Sequence, residues 1–212
     1  MKWWRSLIAV CCLVAAFAMP VSAEKVDWAD KSYDFTKVQR ALVYDLAFAE
    51  NSGLDNDLTE QVLKEEYLKN ATRPKYQVID PEKAQVLSPE DPHLAADVYI
   101  TAELVEWKDG SYVKPGYTSY ETRTSKRKKH HSDGSVTEES YDITVPVYHP
   151  EETVYTSTVR LRFEVYDSRT GKRVMARDEL RERDASRHGQ QGIFGRISKS
   201  FFDDLGKKLK GK

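Results

Sequence analysis

Cysteine is nearly missing from this chain: there are two in 212 residues, Cys11 and Cys12, side by side near the amino terminus. Beyond them no disulfide, thiolate metal site or cysteine nucleophile can form. Glycine (10) and proline (8) are too sparse for a fibrous repeat or a flexible linker. After Met19 no apolar run approaches the ~20 residues that cross a bilayer as a helix. An excess of one charge is missing as well. Thirty-three Lys and Arg face 34 Asp and Glu, a net charge of −1 that argues against a body built around nucleic acid and leaves only local patches to weigh. A chain of this length buries about 70% of the surface its unfolded form exposes, so it needs no metal or disulfide staple. No cofactor is expected.

What is present begins with a leader. Residues 1–23 read as a signal peptide: Lys2 and Arg5 supply a positive start, Leu7 to Met19 is apolar, and Val21-Ser22-Ala23 is a small-residue cleavage pattern. The apolar run is too short for an uncleaved anchor, and the residues before Cys11 and Cys12 do not match a lipid-acylation signal. Cleavage would remove both cysteines and leave residues 24–212 at a net charge of −3. The expected location is extracytoplasmic, in the periplasm or at the cell surface.

Residues 24–37 are polar with a few aromatics and are expected to lie across the surface. Leu42, Tyr44, Leu46 and Phe48 alternate as one face of a strand. Asp57 and Glu60 look like a capping pair for a helix whose stripe is Leu58, Val62, Leu63 and Tyr67, with Pro74 ending the region. Tyr76 to Ile79 is a short strand, and Pro81, Pro89 and Pro92 mark a loop. Val98, Ile100, Ala102 and Leu104 alternate inward on a further strand. A polar excursion, residues 111–150, precedes the longest strand, whose inward residues are Tyr155, Val159, Leu161, Phe163 and Val165. Asp167 to Gly171 closes a hairpin. Ile193, Ile197, Phe201, Leu205 and Leu209 recur every fourth residue through a closing helix, residues 190–210. The pattern predicts one α/β domain over residues 24–212. It has a mixed, largely antiparallel sheet, two helices on one face, and a long polar β-hairpin excursion.

Three passages resemble the curli-secretion-channel (CsgG) superfamily of bacterial envelope proteins, which includes LpoB and the amino-terminal domain of TolB. They are Arg40 to Phe48 with the helix after it, Tyr76 to Asp80 followed by Ala96 to Ala102, and Val159 to Val174 with its Asp-Ser-Arg-Thr-Gly turn. The resemblance implies a non-enzymatic module that docks against envelope partners, often as an oligomer. The channel member forms a pore from amphipathic hairpins. Here Lys114, Glu121 and Arg123 interrupt the apolar alternation that a lipid-facing strand needs, so a pore is not expected.

Two constellations in the excursion stand out as sites. Lys126, Arg127, Lys128 and Lys129, followed by His130 and His131, form a basic tip able to hold an anionic cell-surface polymer, unless it is simply a solvated turn. No aromatic interleaves with the tip, so nucleic acid is not an expected partner. Tyr112, Tyr117, Tyr120, Tyr141 and Tyr148 offer apolar area with a polar end, which suits a protein contact or self-association.

The remaining candidates favour duller readings. Arg160, Arg162, Arg173, Arg177, Arg181 and Arg183 interleave with Glu164, Asp178, Glu179, Glu182 and Asp184, and are expected to form cross-strand surface pairs. His93 lies in the proline-bearing loop without a nearby acidic pair of evident purpose, and no histidine spacing suggests a metal. Asn70-Ala-Thr72 matches a glycosylation sequon, relevant only in a eukaryotic secretory host. No Gly-x-Ser-x-Gly elbow, phosphate loop or hydrophobically paired carboxylates occur, so no enzyme is expected. A hydrolase with an unrecognised carboxylate site is the residual alternative.

Overall fold

The computed structural model describes residues 23–72 and 76–211; the leader through Ser22 and the break expected at Pro74 lie outside the described residues. Ala23 already belongs to a strand, β1 (Ala23–Ala29). Next come β2 (Arg40–Phe48), α1 (Asp57–Ala71), β3 (Gln77–Ile79), α2 (Pro81–Leu87) and β4 (Val98–Lys114). Then follow β5 (Tyr117–His130), β6 (Val136–His149), β7 (Glu152–Asp167), β8 (Arg173–Ala185) and α3 (Gln190–Lys208). The chain divides into two compact units, one running to Gly110 and resuming at Tyr155, the other spanning Ser111–Val154.

The first unit is α/β. Its six-stranded sheet has the order β1-β8-β7-β4-β2-β3. The outer pairs β1/β8 and β8/β7 are antiparallel, and β2 runs parallel to both β4 and β3. Both long helices cover one face. Ile193, Phe194, Ile197, Phe201, Phe202 and Leu205 of α3 and Leu63, Tyr67 and Ala71 of α1 are buried there against Val98, Ile100, Ala102 and Leu104 and against Val159, Leu161, Phe163 and Val165. The rings of Phe163 and Phe201 stack with centroids 4.1 Å apart, and Phe202 meets Tyr67 at 5.5 Å. Each such side chain contributes about 1.5–3 kcal/mol by leaving water.

Several expectations need correction. Residues 24–37 do not simply lie across the surface: the first part is an edge strand, paired with β8 from Ala23↔Arg181 to Ala29↔Met175. Leu42 and Tyr44 do not share a face with Leu46. A register shift between Val43 and Leu46 inverts the alternation. As a result Ala41, Val43 and Leu46 join the helix-side core while Leu42 and Tyr44 lie on the opposite face. The helix cap is one residue earlier than expected, since Asn56 Oδ1 accepts from the backbone N–H of Thr59. Leu58 and Val62 are exposed, so the buried stripe is Leu63, Tyr67 and Ala71. The proline-marked loop contains a helix. Asp80 caps α2 by accepting from the backbone N–H of Lys83, and Pro81 occupies the first turn, where no N–H is needed. Ala84 of α2 and Ala95 and Ala96 beyond it cover Leu42 and Ile79 on the second face. Tyr155 is only half-buried; Val154 is buried instead.

One turn is held tightly by its backbone. Gly53 has φ +85°, and a Cβ there would sit 2.6 Å from the carbonyl oxygen of Trp107. That carbonyl cannot withdraw freely, because the Trp107 N–H donates to Ser52 O at 2.6 Å. Gly53→Ala is therefore expected to destabilise the first unit by about 1–3 kcal/mol, read as a fall of several degrees in the thermal midpoint. An unchanged midpoint would contradict this account of the turn.

Candidate functional site

The second unit is organised by β5 and β6, which pair antiparallel over fourteen positions from Tyr117↔His149 to His130↔Val136. They form a two-stranded sheet of their own. At the tip, the His131 N–H donates to Ser135 O and the Gly134 N–H to His131 O, with Gly134 at φ +85°. The Asp133 carboxylate accepts from the Ser135 hydroxyl and N–H, which holds its pKa below the usual range.

The register sorts the expected site residues onto two faces. One face carries Tyr117, Arg127 and Lys129 on β5 and Tyr141, Ile143, Val145 and Val147 on β6. The other carries Tyr120, Lys126 and Lys128 opposite Pro146, Ser140 and Glu138, together with Tyr148. The five tyrosines therefore do not form one patch. All are nonetheless exposed, from 40% at Tyr117 to 73% at Tyr120, and Tyr112, on the last part of β4, is 47% exposed. Tyr117 stacks on His149 at 4.5 Å, and Ser119 Oγ lies 2.8 Å from His149 Nε2.

The basic tip is likewise divided. Lys126 and Lys128 point to one side, Arg127 and Lys129 to the other. Acids on β6 answer two of them: Lys126 Nζ is 3.6 Å from Glu138 and Arg127 is 3.4 Å from Glu139, while the third acid of the strand, Asp142, accepts from the Thr124 hydroxyl at 2.8 Å. Over the unit as a whole six Lys and Arg meet seven Asp and Glu. That balance weakens the positive potential expected from the run of four cations. What it leaves is segregation by strand. β5 holds five cations and one acid, whereas β6 holds three acids and no Lys or Arg.

In the first unit the arginine-rich hairpin divides in the same way. Arg160 and Arg162 bind Asp178, Arg162 also binds Glu103, and Arg173 binds Glu164, all on the sheet face away from the long helices. Arg177 does not belong with them. It stands opposite Phe163 in the register and is 2% exposed, with its guanidinium 5.6 Å from the Phe201 ring centroid. Asp27 of β1 accepts from its Nε and Nη2, and Asp204 of α3 accepts from Nη2 at 2.8 Å. Buried Glu179 lies 3.9 Å from Nη1 and accepts from Arg181 Nε at 2.6 Å. The expectation of a solvated pair thus fails for Arg177 and Glu179, whose parity matches Met175 and turns them inward. His93, too, has partners that the sequence did not reveal. Its Nε2 is 3.0 Å from the Tyr44 hydroxyl, its Nδ1 is 3.1 Å from Asp91, and its ring lies 4.3 Å from that of Tyr99. Among the described residues no three His, Asp or Glu side chains converge as a metal site would require.

No protein-family model and no curated protein sequence matches the chain. Solved structures give distant likenesses. A dodecamer of a PelC point variant from Paraburkholderia phytofirmans is 13% identical over 87% of this chain and 98% of its own, with a TM-score of 0.47. A second PelC dodecamer from that organism is 11% identical over 89% and 97%, at 0.42. The hypothetical protein CT253 from Chlamydia trachomatis is 14% identical over 82% and 94%, at 0.31. Likeness at this level carries no functional assignment.

The Arg177 cluster has two measurable consequences. Removing the guanidinium would leave Asp27, Asp204 and Glu179 without their shared cation, so Arg177→Ala should cost about 3–5 kcal/mol. Burial by itself would raise the Asp204 pKa, but hydrogen bonds from Lys207 and Arg177 bring it down to about 2; Asp27 is lowered against the same burial by Arg177 and Lys25. Depressed carboxyl pKa values stabilise the fold above the unfolded pKa near 3.8 and lose that contribution as pH falls toward 2. Urea titrations from pH 5 to 2 should show wild-type stability falling more steeply than that of Arg177→Ala, and parallel profiles would refute the assignment.

Proposed function

We propose that this is an exported, non-catalytic assembly module whose second unit joins protein to protein, with another copy of the chain as the partner its charges fit best. The observation that carries this reading is the segregation of charge between the two strands of the hairpin. Among the described residues each strand of β5/β6 has one neighbour, which leaves the other edge of its own two-stranded sheet unpaired. Unpaired edges template further strands. A basic β5 edge beside an acidic β6 edge of the next copy is attractive, whereas β5 beside β5 is repulsive. Like-strand pairing is thereby disfavoured and head-to-tail association favoured, which propagates into a ring or a filament. Exposed Tyr120 and Tyr148 on one face and Tyr117 and Tyr141 on the other add contact area without requiring a pocket. The resemblance to envelope modules that oligomerise points the same way, and the leader-like residues 1–23 support export. The second reading, capture of an anionic polymer by Lys126, Arg127, Lys128 and Lys129, has less support because Glu138 and Glu139 already answer two of these cations.

Charge reversal separates intermolecular pairing from damage within a hairpin. One variant replaces Lys126, Arg127, Lys128 and Lys129 with Glu; the other replaces Glu138, Glu139 and Asp142 with Lys. Each alone should lose the assembled species in sedimentation velocity, and an equimolar mixture should recover it, because complementary edges then meet between unlike copies. Failure of the mixture to recover any assembly would overturn the edge-pairing reading. Loss of binding to a sulfated polysaccharide, with assembly unaltered, would favour the polymer reading instead.

A further inference from the structure

The six-stranded sheet has an edge of its own, which combines charges of both signs with exposed apolar side chains. Among the described residues β1 occupies the end of the strand order and pairs only with β8. Natural edges are commonly guarded by proline, a bulge or outward charge. β1 has neither proline nor register shift over its seven residues; its charges, Glu24, Lys25 and Asp27, are of both signs, and it displays Val26 at 60% and Trp28 at 46% exposure. It is also firmly built: Asp27 is bound to buried Arg177, and beyond the strand Asp30 N–H donates to Val174 O while its carboxylate accepts from Lys172. Such a strand is not a loose end awaiting its place in the fold.

We propose that β1 is a second assembly surface, through which two copies pair β1 antiparallel to β1 about a two-fold axis at Val26, continuing one sheet into the other. This goes beyond the hairpin reading and does not depend on it. The sequence of the strand is self-complementary in that one register. Val26 then lies opposite Val26 of the second copy, Lys25 opposite Asp27, Asp27 opposite Lys25, and Glu24 opposite Trp28. Lys25 and Asp27 project on the helix side, where Lys25 Nζ already lies 2.8 Å from Asp27 within one strand; pairing adds the same attraction across the interface, twice. On the other face Trp28 reaches diagonally to Val26 of the second copy, and the symmetric pair of contacts covers both exposed side chains. Shifting the register by two residues would put Lys25 opposite Lys25 or Asp27 opposite Asp27, which fixes the centre. A single seven-residue edge buries less than the ~1,200 Å² of a standard interface, so the dimer is concentration-dependent.

Two variants test it in the full chain. Val26→Lys places two ammonium groups face to face at the axis and should weaken the β1 dimer about tenfold or more in sedimentation equilibrium, while the melting midpoint stays that of the wild type. Val26→Cys, treated with a short bis-maleimide to which each thiol adds across one double bond, should yield the tryptic fragment 26–31 linked to its own copy. Its yield should be at least about tenfold above that of the fragment bearing Val86→Cys, a similarly exposed site away from the axis that reports random collision. A link at residue 26 no stronger than at 86 overturns the proposal, as does an association constant unmoved by Val26→Lys. Either result leaves the hairpin reading intact, because the charge-reversal variants do not alter β1.

Discussion

A strand sends successive side chains to opposite faces, and that constraint decides what every charged run in this protein can do. Lys126, Arg127, Lys128 and Lys129 are contiguous in sequence, yet the register divides them two and two between the faces of the hairpin. The same rule takes Arg177 out of the arginine face formed by Arg160, Arg162 and Arg173 and sets it against Phe163 and Phe201. Once turned inward, a guanidinium must be paired, and its carboxylates come from two other elements: Asp27 on β1 and Asp204 on α3. The edge strand is thereby tied to the closing helix through the interior of the first unit.

What was legible in the sequence follows from how far local pattern determines structure. The α3 stripe and the inward residues of β4 and β7 were readable because each obeys an unbroken period over many residues. The β2 assignment failed where one irregularity between Val43 and Leu46 inverted the pattern, a shift that no composition signal announces. α2 was hidden by Pro81, which reads as a breaker but also fits the first turn of a helix, with Asp80 ahead of it as the cap. β1 was missed because its alternation is of mixed polarity on both faces; its position in the sheet is set by β8 and by Arg177, which lie some 150 residues away.

The candidate site divides along the same line. Its location in an excursion between core strands, and the exposure of its tyrosines, could be inferred from polarity and length. Its chemistry could not, because the meaning of the basic run depends on what stands across from it. Adjacent residues of an extended strand take opposite faces, and that parity is readable from the sequence. Carried through β5 with the turn at Ser132–Gly134, it would have divided the cations too and placed Glu138 and Glu139 near them. The His93–Tyr44 contact had no such signal, since it joins residues 49 apart in sequence.

A two-stranded ribbon buries little of its own surface, and in isolation such hairpins are marginal in water. This one runs for fourteen paired positions with Ile143 and Tyr141 still 39% and 45% exposed. Cross-strand ion pairs at its tip are solvent-exposed and contribute only about 0.2–1 kcal/mol each, too little to account for an ordered ribbon of that length. A third strand changes the balance, because each added edge satisfies a row of backbone groups and covers half of a face at once. For a hairpin basic along one strand and acidic along the other, another copy of itself would supply that strand with matching charge, as the proposed assembly requires. Mixed charge on both strands would give one edge no preference for the other.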